Sequence, residues 1–362
     1  MIANIEKQAE AFPPGEYLRE ELDARDWTVT EFAEILGRPI QAISEIINGK
    51  KEITTETAIA IGEALGTSPA MWLNLQTNYR LFLHRASLEA PVCLPDVARR
   101  ARLRSVVPLA EVRKRGWISD TKDLDSLEAE VADLLGIEKL DEKAQYAVAA
   151  RRSNSADGLT IEQIAWLGRV CSIAKRRTIP VFDVAALVDL AARLPKLLAS
   201  GEVMPSTLRS WFADCGVILI VVEGLRGGKL DGAVTFVDGR GVIGLTARGD
   251  RFDGFLFTLL HECAHLTLGH IKGGQSALVD DDIGGEVSEQ IENEANSQAI
   301  DWLFPGGFEC AGTRVAEIRQ AASRFGVHPS VVIGQVQKQT GLWNLHRAHI
   351  AKVRHIFRDE TS

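Results

Sequence analysis

Apolar residues spaced three or four positions apart dominate the first 83 residues. They recur in the segments YLREELDA, TEFAEILG, IQAISEIING and TETAIAIGEALG, and each segment closes with a glycine or a polar turn. Because this spacing puts the apolar side chains on one face of a helix, it predicts an all-helical domain of five short helices over residues 1–83.

The pattern changes several times along the rest of the chain. Residues 84–115 carry three prolines and many basic side chains, which is typical of a connector. Helical spacing returns over 116–213. The β-branched runs CGVILIVVEGL, LDGAVTFVDGRG and VIGLTARG follow, separated by glycine-rich turns, and helical patterns fill 287–357. We therefore predict a second domain over residues 116–362 and a mainly α fold with a small antiparallel β-sheet.

Composition restricts the class of protein. Hydrophobic residues make up 46% and charged residues 25% of the 362 residues, as in ordinary globular proteins. The N-terminus lacks the apolar core of a secretory signal, and no apolar run approaches the roughly 18 residues of a membrane span. Five scattered cysteines without a CxxC pair indicate reduced thiols, so we expect a cytoplasmic protein without a membrane partner.

One apolar helical pattern, FTLLHECAHLTLGH from Phe257, is interrupted by ionisable residues. His261 and His265 are four residues apart, so on a helix they project from one face and can bind one metal ion. Glu262 lies about a quarter turn away, where it can polarise a water molecule without being a ligand. A chance occurrence on a solvated face is the alternative, but the apolar FLFTLL before the motif predicts a buried helix, where unpaired His and Glu are costly. The motif therefore predicts a site of the kind found in hydrolytic zinc enzymes.

The third metal ligand has two candidate sources. The long pattern H-E-x-x-H-x-x-G-x-x-H needs Gly and His where this chain has Leu268 and Ile271. His270 therefore fits that pattern poorly, and its alternative interpretation is a polar residue at a helix C-terminus. The second source is a glutamate on a later helix.

That later helix is predicted over IENEANSQAIDWLFP. It has an apolar stripe that must pack inward, formed by Ile291, Ala295, Ala299 and Leu303. Glu292 lies at the edge of this stripe and is the favoured ligand, whereas Glu294 points further toward water. Asn296 lies four residues after Glu292 and could hold a ligand in place, although a surface asparagine is an equal alternative.

These segments together resemble the ImmA/IrrE family of zinc metallopeptidases. The resemblance is carried by HECAH with its preceding FTLL, by the LDGAVTF strand and by the IENEANSQAIDWLFP helix, and it extends from about residue 100 to the C-terminus. The sequence departs from the family at Gln298, usually Phe, and at Ala264, usually Gly; both are packing positions.

The resemblance implies an α+β zincin-like domain with zinc held by His261, His265 and Glu292. It implies that Glu262 takes a proton from water and passes it to the leaving amine. The substrate would be a regulatory protein such as a repressor or antitoxin. The AVTFV strand could be an edge onto which the substrate peptide adds.

The N-terminal segment TVTEFAEILGRPIQAISEIINGKKEIT has the layout of a helix-turn-helix. Its inward positions are Phe32, Ala33, Leu36, Ile43, Ile46 and Ile47, with Gly37 in the turn. The outward positions would meet the major groove or a phosphate strand. The candidate groove residues are Arg38, Gln41, Ser44 and Glu45, and the candidate phosphate residues are Lys50 and Lys51.

Residues 13–81 resemble the Xre-type fold, and closely its HigA antitoxin branch. The resemblance implies operator DNA as a partner, and such modules commonly pair on two-fold operators, so a homodimer is possible. The flanking segments PPGEYLREEL and EITTETAIAIGEALGTSPAMWLNLQTNYRL carry the closer likeness.

Charge argues against tight DNA binding. The segment from Pro14 to Arg85 contains seven Lys and Arg and eleven Asp and Glu, which gives it a net charge of −4. The whole chain has a formal net charge of −8. The segment from Arg99 to Arg115 contains seven basic residues and one acidic residue, Glu111. This excess of positive charge indicates either an auxiliary phosphate contact or a solvated connector. The module could alternatively bind a protein partner or dimerise.

Three function classes remain. The first is a transcriptional regulator that carries a zinc-dependent endopeptidase. The second is a non-proteolytic DNA-binding antitoxin or repressor whose zinc domain binds a partner, such as a toxin, or senses a signal. The third is a zinc-stabilised scaffold, in which Glu262 would have no chemical role.

Overall fold

The computed structural model describes residues 12–86, 96–140, 159–271, 278–279 and 286–360. The chain divides into two compact units, Met1–Cys93 and Leu94–Ser362. The mainly α fold class with a small sheet is confirmed. Among the described residues, no helix is both long and apolar enough to cross a membrane.

The first unit consists of five helices in its described part: α1 (Pro14–Asp23), α2 (Val29–Ile35), α3 (Ile40–Ile47), α4 (Thr55–Leu65) and α5 (Pro69–Ala86). Its core contains the inward positions predicted for α2 and α3, with Leu36 only partly buried. Trp72 is fully buried, and its indole N–H donates to the Thr67 hydroxyl at 2.8 Å. Thr28 begins α2 with a reciprocal capping box to Glu31.

Two glycines shape the first unit. Gly37 has a φ of +62°, a left-handed conformation that suits the turn between α2 and α3. Gly15 lets α1 approach α3 closely, because a Cβ at this position would lie 2.4 Å from the carbonyl oxygens of both Ile46 and Ile47.

The second unit begins with α6 (Asp96–Val106), α7 (Leu109–Lys114), α8 (Leu124–Leu135), α9 (Ile161–Lys175), α10 (Val184–Leu197) and α11 (Pro205–Asp214). The strands β1 (Val217–Val221), β2 (Gly232–Val237) and β3 (Arg240–Leu245) follow. They lead into α12 (Phe252–Thr267), β4 (Leu278–Val279), α13 (Glu286–Leu303), α14 (Val315–Phe325) and α15 (Pro329–Thr340). Two 3₁₀ segments, Arg347–His349 and Arg354–Glu360, come last.

The sheet has the order β1-β3-β2-β4 and is mixed, so the prediction of an antiparallel sheet is only partly right. The tight turn at Asp238-Gly239 makes β2 and β3 antiparallel, but β3 then inserts between β2 and β1 and pairs parallel with β1. Every residue of β1 is buried. A strand covered on both faces has a continuous apolar run, which suits a parallel pair between two layers of helices.

Two cores cover the two faces of the sheet. One face packs with α10 to α15 through residues such as Leu219 and Ile243. The opposite face packs with α6 to α9 through residues such as Ile220 and Val242. Helix α12 is therefore held between the sheet and the later helices, where its side chains are shielded from water.

The connector predicted over residues 84–115 requires a correction. Residues 96–114 form α6 and α7, and Leu103, Val107 and Val112 are fully buried in the core shared with α8 and α9. The basic side chains have structural partners as well. Arg99 forms ion pairs with Asp125 and Glu128, and its side chain is only 14% exposed. Apolar residues at four- and five-residue spacing thus outweigh the basic composition, and a phosphate role for Arg99 is not supported.

Candidate metal centre and nucleic-acid face

Helix α12 carries three polar side chains in an otherwise apolar environment. His261, Glu262 and His265 are each exposed by 2% or less. The neighbours along the helix, such as Leu259 and Leu260, are fully buried in the core. The burial predicted from the apolar run before the motif is thus present, and it rules out a solvated helix face.

The structure brings the two histidines together with Glu292 of α13. The Nε2 atoms of His261 and His265 lie 2.9 Å apart. Glu292 reaches both of them, with Oε2 at 3.1 Å from His261 Nε2 and Oε1 at 3.5 Å from His265 Nε2. Each residue offers one ligand atom, and these three atoms lie within 4.8 Å of one another. In the described part of the chain this is the one such group of three.

The donor set fits zinc. Two imidazole nitrogens and one carboxylate form the ligand set of hydrolytic zinc sites, which keep a fourth position for water or substrate. Burial raises the pKa of Glu292, but hydrogen bonds from His261 and His265 outweigh it and bring this pKa down to about 2. Burial lowers the pKa of His265, which favours the neutral ring that can bind a metal.

Glu262 lies against the first residue of β2. A Cβ built on Gly232 would lie 2.3 Å from Glu262 Oε1 and 2.8 Å from Thr258 Cγ2. The glycine therefore leaves room that no other residue type would leave. The sequence pattern at this position predicts only a strand, although a glycine inside a strand pattern signals a close approach.

His270 is not one of the converging ligands. Its Nδ1 lies 3.0 Å from Nδ1 of His265, the nitrogen that faces away from Glu292, and its Nε2 lies 3.2 Å from Glu294 Oε2. Gln290 donates to the other oxygen of Glu294 at 2.9 Å. Glu294, which is predicted to point toward water, has a side chain that is 48% exposed and also contacts His270.

The apolar stripe of α13 packs as predicted. Ala295, Ala299 and Leu303 are buried, and Ile291 is partly buried. Asn296 is half-buried one turn after Glu292. Its role in holding a ligand stays a prediction.

The predicted substrate edge at AVTFV needs a correction. β2 pairs with β3 on one side, and on the other side Ala233 and Val234 pair antiparallel with β4. β4 therefore takes the position beside these two residues, because the segment after α12 returns to the sheet. A substrate strand could add to these two positions of β2 only by displacing β4.

The predicted DNA face comprises α3 and the turns on either side of it. Gln41, Lys50 and Lys51 are exposed, whereas Arg38, Ser44 and Glu45 are half-buried. Gln41 donates to Glu45 Oε1 at 3.1 Å, so its amide is partly engaged. The Glu45 carbonyl accepts the backbone N–H groups of Lys50 and Lys51, which fixes the turn that presents both lysines.

Comparisons with known proteins concern the first unit. A family model described as helix-turn-helix matches residues 18–72. The chain is 37% identical over 90 residues to the uncharacterized HTH-type transcriptional regulator YddM of Escherichia coli, which covers 25% of this chain and 88% of that protein.

Two solved structures are also similar. An addiction module antidote protein of the HigA family from Coxiella burnetii is 31% identical, with a TM-score of 0.21, and the match covers 23% of this chain and 99% of that one. The Pseudomonas aeruginosa antitoxin HigA, solved with the higBA promoter, is 27% identical, with a TM-score of 0.21, and the match covers 24% and 100%.

Proposed function

Because the chain belongs, through its first unit, to the family of helix-turn-helix transcriptional regulators, we propose that it binds operator DNA and carries a zinc-dependent endopeptidase in its second unit. The observation that carries the peptidase is the buried convergence of His261, His265 and Glu292 beside Glu262. The likeness of these segments to the ImmA/IrrE family supports it.

His261, His265 and Glu292 would hold the zinc, and Glu262 would handle the proton. A bound zinc supplies a Lewis acid for the scissile carbonyl and lowers the pKa of water. The Glu262 carboxylate is buried and held near Gly232, where it can accept a proton from the attacking water and return it to the leaving amine. The surrounding apolar side chains exclude bulk water from this exchange. The substrate class is a regulatory protein such as a repressor or an antitoxin.

Zinc content tests the metal site. Elemental mass spectrometry of the purified protein should give one zinc per chain. Glu292→Ala should lose or weaken it, because one of three ligands is removed. Glu289→Ala, an exposed residue on the same helix, is the matched control and should keep the zinc. A wild type that stays free of zinc after remetallation would refute the site.

Cleavage of a randomised peptide library, read by mass spectrometry, tests the peptidase. Wild type should cleave a subset of peptides, and Glu262→Gln should keep zinc and lose cleavage, since it cannot accept the proton. Zinc-loaded wild type that cleaves no more than Glu262→Gln would instead favour a non-proteolytic regulator whose second unit binds a partner or senses a signal.

The DNA proposal is carried by the exposed residues that follow the turn of the helix-turn-helix. Gel shifts at fixed salt, with fragments that wild type selects from a random pool, should show weaker binding for Gln41→Ala and Lys50→Ala. Lys139→Ala, an exposed lysine of the second unit, is the control. Unchanged binding by both variants would remove α3 as the recognition helix. Two-fold selected sites would support a homodimer.

A further inference from the structure

A chain of hydrogen bonds leads from the metal ligand His265 to the protein surface. His265 Nδ1 and His270 Nδ1 are 3.0 Å apart, and His270 Nε2 and Glu294 Oε2 are 3.2 Å apart. Exposure rises along this chain: the side chains of His265, His270 and Glu294 are 2%, 7% and 48% exposed.

The end of α12 places His270 beside His265. Gly269 has a φ of +72°, which ends the helix, and the His270 backbone N–H donates to the His265 carbonyl at 3.1 Å. The reversal of the chain at Gly269 therefore brings the two rings together, with centroids 5.1 Å apart. This local geometry directs His270 to the outer nitrogen of His265 and away from the ligand cluster.

The proton positions along the chain follow from hydrogen-bond chemistry. A neutral imidazole that binds a metal through Nε2 carries its proton on Nδ1. His265 Nδ1 then donates, so His270 Nδ1 must accept and the His270 proton must lie on Nε2. That proton points at Glu294, whose ionised carboxylate only accepts. Gln290 holds the second carboxylate oxygen from one turn earlier on α13.

Within the described residues, the other histidine ligand lacks such a support. In the described residues, His261 Nδ1 is buried and has no hydrogen-bond partner. The two histidine ligands therefore differ in their hydrogen bonding. The ring orientation and tautomer of His265 are fixed by the hydrogen bond between its Nδ1 and His270.

We infer that His270 and Glu294 are positioning residues for the zinc ligand His265, holding its ring with Nε2 directed at the metal. This inference rests on the proposed zinc site. Partners of this kind orient a ligand and raise its basicity, and their loss typically weakens metal binding 10- to 100-fold.

Zinc affinity measured against a chromophoric chelator tests the inference without any substrate. His270→Leu should bind zinc 10- to 100-fold more weakly than wild type. His270→Asn should recover most of the affinity, because its amide oxygen can accept from His265 Nδ1. Glu294→Gln should cause a smaller loss, and Glu289→Gln on the same helix none.

The visible absorption of the cobalt-substituted protein provides a readout that packing alone would not move. The His270→Leu band should shift in position or intensity, since a ligand changes orientation, and His270→Asn should restore it. Zinc-free wild type and variants should unfold at similar temperatures.

The outcomes separate the two hypotheses. Wild type without zinc would refute the metal site itself. Wild type that binds zinc, with His270→Leu matching it in affinity and cobalt spectrum, would overturn the positioning role alone. Equal losses in His270→Leu and His270→Asn, together with a lower unfolding temperature of the zinc-free forms, would assign His270 to packing and would also overturn it.

Discussion

The contact between Gly232 and Glu262 gives a sharp test of the proposed catalytic residue. Replacing Gly232 by Ala adds a methyl group 2.3 Å from Glu262 Oε1. The strand cannot simply retreat, because β2 is paired with β3 along its whole length, with Gly232 opposite Leu245. The backbone conformation at this position has no positive φ that would disfavour alanine. The Glu262 carboxylate, and to a smaller extent the Thr258 methyl group, are therefore the groups that must move.

The size of the displacement sets the expected effect. Real Cβ contacts stay beyond 3.0 Å, so Glu262 must move by at least about 0.7 Å. Misplacing a catalytic group by about 1 Å can cost on the order of 100-fold in rate, and we expect a loss of that order in kcat for Gly232→Ala. Overpacking should also destabilise the fold by about 1–3 kcal/mol. Zinc content should be unchanged, because the atoms nearest to the added methyl group belong to Glu262 and Thr258 and not to the three ligands.

The assay follows turnover of one peptide selected from the library, with zinc content and denaturant unfolding measured in parallel. Gly254→Ala is the matched control: it lies in α12, is exposed, and has open space around its Cα. It should retain full activity and be about 0.5–1 kcal/mol more stable. Full activity in Gly232→Ala would show that the position of Glu262 does not limit the reaction, and the assignment of Glu262 would fail.

Three further predictions concern other parts of the chain. His328 accepts a backbone N–H at the start of α15, and burial lowers its pKa below the ordinary value of 6.5. The unfolded state therefore takes up the proton first, and the free energy of unfolding falls as the pH drops below 6.5. His328→Asn should reduce this pH dependence in urea unfolding. Gly15→Ala should destabilise the first unit by about 3 kcal/mol, because its Cβ meets the Ile46 carbonyl, and an unchanged unfolding midpoint would contradict that contact. Glu45→Gln should tighten operator binding up to about fivefold at low salt, and a weaker complex would contradict its place near phosphates.

Local patterns were sufficient to predict which three side chains converge. His261, His265 and Glu292 were predicted from helical spacing and from the edge of one apolar stripe, because both features depend on residues within two or three turns. The Glu262–Gly232 contact was not predictable in the same way, since it joins a helix to a strand 30 residues earlier. For His270 the sequence pattern left open a poorly fitting third ligand or a polar residue at a helix C-terminus. It did not indicate that the chain reversal at Gly269 directs His270 to the outer nitrogen of His265.

The connector and the sheet show where composition misleads. Residues 96–114 are rich in arginine, yet Leu103, Val107 and Val112 at four- and five-residue spacing place them in the core. In β1 the run VILIV lacks the alternation of a strand with one wet face, and this was the available signal for a strand buried on both faces. In both segments the apolar pattern, more than charge or turn residues, corresponds to the observed structure.

The burial of α12 bears on whether its polar side chains could serve packing alone. Replacing buried ionisable groups by apolar ones of similar volume is often neutral or stabilising, so a packing role would be met better by leucine. Glycine inside a strand also weakens it by roughly 0.5–1 kcal/mol relative to alanine. Here a buried carboxylate and a strand glycine lie against each other beside a converging ligand set. Each feature by itself lowers stability, and their placement together at one point favours the proposed proton-transferring site over a role in packing.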